Sequence, residues 1–383
     1  MMTNSDLWLK ANKNSALLDA VHECNLEDVA SMSTLRKLWS IEEISIAASL
    51  LDARKRAAEK ISNADSILSD SIGVQQATST EIAKHKSKRF VTDGPVYDLC
   101  CGIGADLQEL PMQTIGVDND PLRCTMANFN TGKETICEDV LLMDIPSNAL
   151  IHIDPSRRSG TKRLHGLDTM KPNIEAILDI ASKAAGGCIK VSPAVNLDDL
   201  ESFSIPLELE YIEEHGRVVQ CVIWFGSLAK TSGSVSACSM TLGKSVSGVP
   251  EFSTFTNNLI GWILEPNPAL ERSGLHCTLA KEFGAKELAP NLGLFCAKEE
   301  CDSDWFQQFE ILETTPLRIE KVKRTLAELK CTQVEVKTRG KTIDPNQWQD
   351  TLSSKASGEL LTVFALRLGK NRTAIITRRL GRR

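Results

Sequence analysis

A chain of 383 residues, 42% hydrophobic and 25% charged, has room for two or three globular domains, and no run in it approaches the roughly 18–20 apolar residues of a bilayer-spanning helix. The first 13 residues lack an apolar signal core, so a cytoplasmic location is expected; the 12 cysteines form no Cys-x-x-Cys pair, and Cys188, Cys221 and Cys238 lie in apolar runs, which argues against a disulfide framework or a zinc site. The net charge of −6 conceals a division: residues 318–383 hold 16 Lys+Arg against 6 Asp+Glu, a surplus of +10, whereas residues 1–317 hold the other 28 and 44, a balance of −16, so the C-terminal part suits an anionic partner such as nucleic acid.

Residues 1–90 read as a helical region. Ser33-Thr34-Leu35-Arg36 and Ser40-Ile41-Glu42-Glu43 are cap-like starts, and Leu35, Leu38, Trp39, then Ile44, Ala47, Ala48 and Leu51 recur at helical spacing. Thr80–Phe90 reads as one more helix, carrying Lys84, His85, Lys86, Lys88 and Arg89. The rhythm changes at Gly94-Pro95. Strands are expected at Pro95–Cys100, Thr114–Asp118, near Glu134–Cys137, at Leu150–Asp154 and at Gly187–Ser192, with helices at Asp120–Asn130 and Lys171–Ala185. Alternating βα units argue for a parallel, doubly wound sheet. Leu207–Glu213, Val218–Phe225 and Val235–Leu242 follow without a helix between the last two, as a terminal antiparallel pair would. The Ser/Gly-rich stretch Gly243–Ser253 reads as a linker. Phe309–Arg379 then reads as strand, helix (Arg318–Lys330), strand (Gln333–Lys337), helix (Asn346–Ser353), strand (Leu360–Leu368) and strand (Thr373–Thr377), a small α+β module.

Asp98-Leu-Cys-Cys-Gly102-Ile-Gly104 follows a strand and opens a helix, and glycines there let backbone approach a ligand closely. Leu107 stands where a dinucleotide loop has its third glycine, and an acid at position 98 suits a cationic amino-acid group better than a pyrophosphate. Asp118 ends the second strand, where an acid binds ribose hydroxyls, while Asp120 before Pro121 caps the next helix. Asp154 ends a buried strand and is followed by Pro155, Arg157 and Arg158. A carboxylate there accepts hydrogen bonds from an amino group and orients its nitrogen lone pair, and positioning carries much of the rate of an in-line displacement. Arg157, Arg158, Lys162 and Arg163, with His165, are the candidate substrate-binding cluster. Together with Lys84, Lys86, Lys88 and Arg89 they make an expected phosphate track.

The run Asp98–Gly104, the Gly116-Val-Asp-Asn-Asp-Pro121 segment and Asp154-Pro155 resemble motifs I, II and IV of class I S-adenosylmethionine-dependent methyltransferases. The lead segment, Gln76-Ala-Thr-Ser-Thr-Glu-Ile-Ala-Lys-His85, looks like the one before the glycine loop in trimethylguanosine synthase-like RNA methyltransferases, and the whole is similar to bacterial enzymes of this class with a C-terminal THUMP-like domain. The resemblance implies an α/β fold: a Rossmann-like, seven-stranded sheet at 91–243, a helical region at 1–90 and a small α+β THUMP-like domain at 254–383. It implies S-adenosylmethionine as cofactor, held by Thr78, Asp98, Cys100, Gly102, Gly104, Asp118 and Asp139, the last beside the adenine amino group. Ser79 and His85 would support the pocket, Asp154 and Pro155 would be catalytic, and no metal is implied. Two departures bear on the acceptor. Ser156-Arg157 stands where amino-group methyltransferases often have Pro and an aromatic. The Asp-Pro-x-Arg form also resembles uracil-C5 enzymes, but Lys190-Val-Ser-Pro-Ala194 lacks their cysteine. The expected function is RNA methylation, with a base amino group favoured; a small-molecule or protein methyltransferase and a non-catalytic cofactor-binding, RNA-associated protein are the alternatives.

Overall fold

The computed structural model describes residues 3–156, 158–159, 162–163, 170–195, 200, 206–340, 342–353 and 359–381. Chain contacts divide it into two units, Met1–Leu209 with Gln220–Gly233, and Glu210–Val219 with Ser234–Arg383.

The first unit opens with six helices: α1 (Asn4–Lys13), α2 (Ser15–Glu23), α3 (Val29–Leu35), α4 (Ile41–Ala57), α5 (Ser71–Gln76) and α6 (Thr80–Ser87). Ser40 caps α4 as expected. Its Oγ accepts from Glu43 N at 3.2 Å and the Glu43 carboxylate accepts from Ser40 N at 3.0 Å, a reciprocal box that satisfies two otherwise open amides. A Ser40→Ala change is expected to cost about 1 kcal/mol in urea unfolding; a loss of under about 0.3 kcal/mol would show that the cap is redundant. The Ser33 start is overturned: Ser33 lies inside α3, whose cap is Asp28, accepting from Ser31 N at 2.8 Å, because Asp28 meets the first open amides before Ser33 is reached. The buried side chains of α1 to α5 join one core with Ile103 and Met126 of the sheet region. Polar ties reinforce that packing: Arg123 pairs bidentately with Asp70 at 3.0 Å, and Asn130 accepts from Leu68 N at 2.8 Å while donating to Ile103 O at 2.9 Å.

The chain then alternates: β1 (Val96–Leu99), α7 (Ala105–Glu109), β2 (Ile115–Asp118), α8 (Pro121–Thr131), β3 (Thr135–Cys137), β4 (Leu150–Ile153), the short strands β5 (Arg158–Ser159) and β6 (Lys162–Arg163), α9 (Ile174–Lys183), β7 (Gly186–Val191), β8 (Leu207–Glu214), β9 (Arg217–Gly226), β10 (Val235–Ser239) and β11 (Lys244–Gly248). Strands β4, β1, β2 and β3 pair in parallel, β7 pairs in parallel with β4, and β9 runs antiparallel to β7. β4 and β7 are buried along their whole length, as central parallel strands are, and each carries one polar residue, His152 and Lys190. The sheet has nine strands, in the order β11-β10-β8-β9-β7-β4-β1-β2-β3, not the expected seven. The extra pair is β10–β11, and β11 replaces the expected linker at Gly243–Ser253. An edge strand needs no continuous buried face, so its Lys-Ser-Val-Ser-Gly sequence carries no strand signature, and its lysine and serines suit an exposed edge.

In the second unit the stretch between the expected linker and the C-terminal module forms β12 (Trp262–Pro266), α10 (Pro268–Arg272), α11 (Leu275–Glu282), β13 (Lys286–Glu287) and β14 (Phe295–Ala297). The module follows as β15 (Phe306–Pro316), α12 (Ile319–Glu328), β16 (Cys331–Thr338), α13 (Pro345–Leu352), β17 (Glu359–Leu368) and β18 (Asn371–Arg379). Its six elements fall in the order and nearly at the limits that the sequence predicts. The sheet order is β13-β14-β12-β15-β18-β17-β16, with β16 and β17 parallel across the α13 crossover. Val322 and Leu326 of α12 and Leu352 of α13 cover one apolar cluster of that sheet, and Phe309 and Phe364, edge to face at 4.9 Å, anchor a second.

Candidate active site

The strand order reverses at β1, with β2 on one side and β4 on the other, and a doubly wound sheet offers its ligand crevice at the carboxyl ends of the strands there. The glycine loop leaves β1 at this point. Cys100 (φ 61), Gly102 (φ 56) and Gly104 (φ 85) all adopt left-handed backbone. An added Cβ on Gly104 would meet Thr131 Cγ2 at 2.8 Å, so this glycine lets α7 close on α8; an added Cβ on Gly102 meets nothing within 4 Å, so this glycine faces open space. The Gly102 amide donates to Asp118 Oδ2 at 2.9 Å, tying the loop to the end of β2. Burial raises the Asp118 carboxyl, against the amides of Asp120 and Gly102 that pull it down. Burial among carboxylates pushes the Cys100 thiol far up and disfavours a thiolate there. Asp120 caps α8 through Leu122 N at 2.8 Å, and Asp139, exposed, caps a short 3-10 turn through Leu141 N at 3.0 Å.

Beneath the loop runs a buried polar chain. Parallel register sets His152 of β4 beside Asp98 of β1, and their side chains meet at 2.6 Å (Nδ1 to Oδ1). His152 Nε2 lies 2.9 Å from Lys86 Nζ, and Lys86 pairs with Asp106 Oδ1 at 2.6 Å. Thr78 Oγ1 donates to Asp106 Oδ2 at 2.6 Å and accepts from Lys190 Nζ at 3.0 Å; Lys190 reaches Asp154 Oδ2 at 2.7 Å. Asp98, Lys86 and His152 side chains are each 1% exposed, whereas Asp154 is 25% exposed. Burial alone would raise Asp106 and lower Lys86. The attraction of Lys86, His152 and Lys190 outweighs it and holds Asp106 well below the usual carboxylate range, and Asp106 with its neighbours raises Lys86. Asp98 moves the other way: burial raises it further than His152 lowers it. Among the described residues Asp98 Oδ2 is buried with no hydrogen-bond donor.

The loop, Asp98, Asp118 and Asp154 therefore share one end of the sheet, and Thr78 joins them through its hydroxyl. Asp139 follows β3 on the same end. His85 is half-buried, and its neighbour Lys86 occupies the interior place; Ser79 stands at the N-cap position of α6. The expected basic track on α6 is corrected. Lys86 is buried against Asp106, and Arg89 pairs bidentately with Glu208 at 2.8 and 2.9 Å, with its guanidinium 4.2 Å from the Trp224 ring centre. Both faced inward because buried carboxylates on α7 and β8 need counter-ions. Arg157 and His165 lie outside the described residues. Arg158 with Ser159 and Lys162 with Arg163 are described only as a two-stranded backbone ladder. His152 and Lys190 were missed as site residues by sequence reasoning, and Lys86 was expected on the phosphate track instead of in the interior. Only the register of β4 beside β1 and β7, visible in the apolar runs, would have placed His152 and Lys190 next to acids.

Among known proteins, the THUMP domain-like family matches residues 306–379. Two proteins of Mycobacterium tuberculosis, from strains CDC 1551 and H37Rv, are each described as an uncharacterized S-adenosylmethionine-dependent methyltransferase. Each is 26% identical over 311 residues, 79% of this chain and 86% of the relative. The crystal structure of a candidate methyltransferase from Porphyromonas gingivalis W83 superimposes with a TM-score of 0.75 at 16% identity, covering 100% of both chains, so the fold is shared.

Proposed function

We propose that this chain, a class I S-adenosylmethionine-dependent methyltransferase with a THUMP-like C-terminal domain, methylates RNA in the cytoplasm, at a base amino group. We assign residues 1–90 as a helical region, 91–243 as the methyltransferase domain, which that region braces, and 254–383 as the THUMP-like domain. The site suits the cofactor. The open side of Gly102 admits a ligand against backbone, and Asp118 has lone pairs left for ribose hydroxyls. The buried Asp98 Oδ2, without a donor among the described residues, suits a cationic amino-acid portion. The bound cofactor supplies an electrophilic methyl group on a sulfonium. Asp154, the most exposed member of the polar chain, accepts the N–H of the acceptor amine and orients its lone pair, so geometry supplies much of the rate.

The observation that carries the RNA assignment is the charge of the THUMP-like module, +10 over residues 318–383. Part of that charge is used internally: Arg339 pairs with Glu271, and Arg378 with Glu310 and Glu359. Arg318, Lys321, Arg367, Lys370 and Arg372 are exposed and make no ion pair among the described residues. Arg367 and Arg372 face each other across β17–β18, and Leu317 N donates to Arg372 O at 2.9 Å, which brings the start of α12 alongside. Like charges placed opposite one another repel, and a phosphate backbone relieves them.

The test is transfer of labelled methyl groups to RNA from cells lacking the gene. Wild type should label a discrete RNA fraction, and Asp154→Ala should lower the rate by about 100-fold or more. Labelling of protein or small molecules, and of no RNA, refutes the assignment.

A further inference from the structure

We propose that Lys190 is the positioning residue of the acceptor carboxylate: a buried ammonium that clamps one oxygen of Asp154 and so aims the other at the methyl acceptor. This rests on the reading of Asp154 given above. The register makes the contact unavoidable. Ile189 of β7 pairs with Ile153 of β4, so the next residue of each, Lys190 still within β7 and Asp154 just past the end of β4, stand side by side. The terminal torsion of an aspartate is soft, and an unanchored carboxylate samples a broad range of rotations. A charge-assisted bond of 2.7 Å from Lys190 Nζ to Oδ2 removes that freedom. Among the described residues Oδ1 takes no hydrogen bond, and it belongs to a side chain that is 25% exposed.

The clamp is itself held. A lysine has four flexible bonds, and a lone ammonium at a protein surface would not fix anything. Lys190 is 6% exposed and its three donors find Asp154 Oδ2, Thr78 Oγ1 at 3.0 Å and Gln76 O at 3.4 Å. Thr78 is fixed in turn by donating to Asp106, the partner of buried Lys86. The Thr78 hydroxyl, spent on Asp106 and Lys190, acts through this chain, and the segment before the glycine loop reaches the acceptor side by way of Lys190.

The experiment is a double-mutant cycle on the full chain. It uses single-turnover methyl transfer to RNA from gene-deleted cells, with S-adenosylmethionine affinity measured separately by calorimetry. Lys190→Met should lower the transfer rate about 100-fold, as a misplaced reacting group does, with cofactor affinity within about threefold of wild type. In an Asp154→Asn background, Lys190→Met should cost nothing further, since the group it aims is gone. Lys190→Arg, longer but charged, should recover part of the rate. Additive losses in the cycle, or a Lys190→Met rate within about threefold of wild type, overturn the proposal. Should Lys190→Met not fold, Thr78→Val loosens the clamp without removing charge. Its smaller loss must also vanish in the Asp154→Asn background, and persistence there overturns the proposal. The underlying reading fails separately: Asp154→Asn at the wild-type rate removes Asp154 from the acceptor side, whereas an inactive Asp154→Asn beside a fully active Lys190→Met removes only the clamp.

Discussion

A Lys86→Met variant is expected to lose about 3–5 kcal/mol of unfolding free energy, because it leaves a buried carboxylate without its counter-ion. Lys86 and Asp106 face each other at 2.6 Å with side chains 1% and 8% exposed. Methionine fills the space of the aliphatic stem, so the loss reports charge and not a cavity. Urea unfolding at pH 7 measures it; a change below about 1 kcal/mol would mean that Asp106 finds water or another cation. The pH profile adds a signed test. Asp106 is held below its unfolded value, so its contribution is present above about pH 4 and is lost as pH falls through the folded value. Lys86 is raised, so its contribution is full below about pH 10.4 and is lost as pH rises through the folded value. The pair therefore stabilises fully between those limits, and the variant should flatten both edges. Asp98, being raised, runs opposite to Asp106: its contribution is present at acid pH and is lost as pH rises through the folded value.

Asp118→Ala is expected to weaken S-adenosylmethionine binding on the order of 1000-fold, with the fold intact. Two hydrogen bonds from ribose hydroxyls to a partly buried carboxylate are each worth about 1.5–3 kcal/mol. The same substitution frees the Gly102 amide, which now donates to Asp118 Oδ2 at 2.9 Å, so the loop loses an anchor as well. Asp118→Asn keeps one acceptor oxygen and should fall between the two. Calorimetric titration with the cofactor decides: a loss under about tenfold removes Asp118 from the adenosine site. Asp139→Ala should matter far less, because an exposed carboxylate competes with water for every bond it makes.

Much of the fold was legible because its signals are local. Gly94-Pro95 marks the change of rhythm, Asp120-Pro121 caps α8, and the strands from β15 to β18 fall in the expected order, most of them longer than expected. The glycine loop and Asp118 were legible for the same reason, since both lie at strand ends fixed by short spacings. The strand β11 was not, because an exposed edge asks little of its side chains. The interior lysines were hidden differently. Lys84, Lys86 and Lys88 look alike in sequence. Only the docking of α6 against α7 and β4 decides that Lys86 faces a carboxylate while Lys84 pairs with exposed Glu81. Charge type is written in the sequence; charge orientation is a tertiary property. The surplus of +10 was likewise a true count, of which Arg339 and Arg378 are already spent within the second unit.

The braced glycine loop has a consequence for inheritance. Thr78, Lys86 and Asp70 stand in the first 90 residues, and their partners Asp106, His152 and Arg123 stand beyond them. A gene trimmed to begin at the first strand would encode a sheet with an anion sealed inside and the underside of its loop laid bare. The leading helices are thus no detachable prefix. A shuffled descendant would have to keep helices and sheet together as one piece.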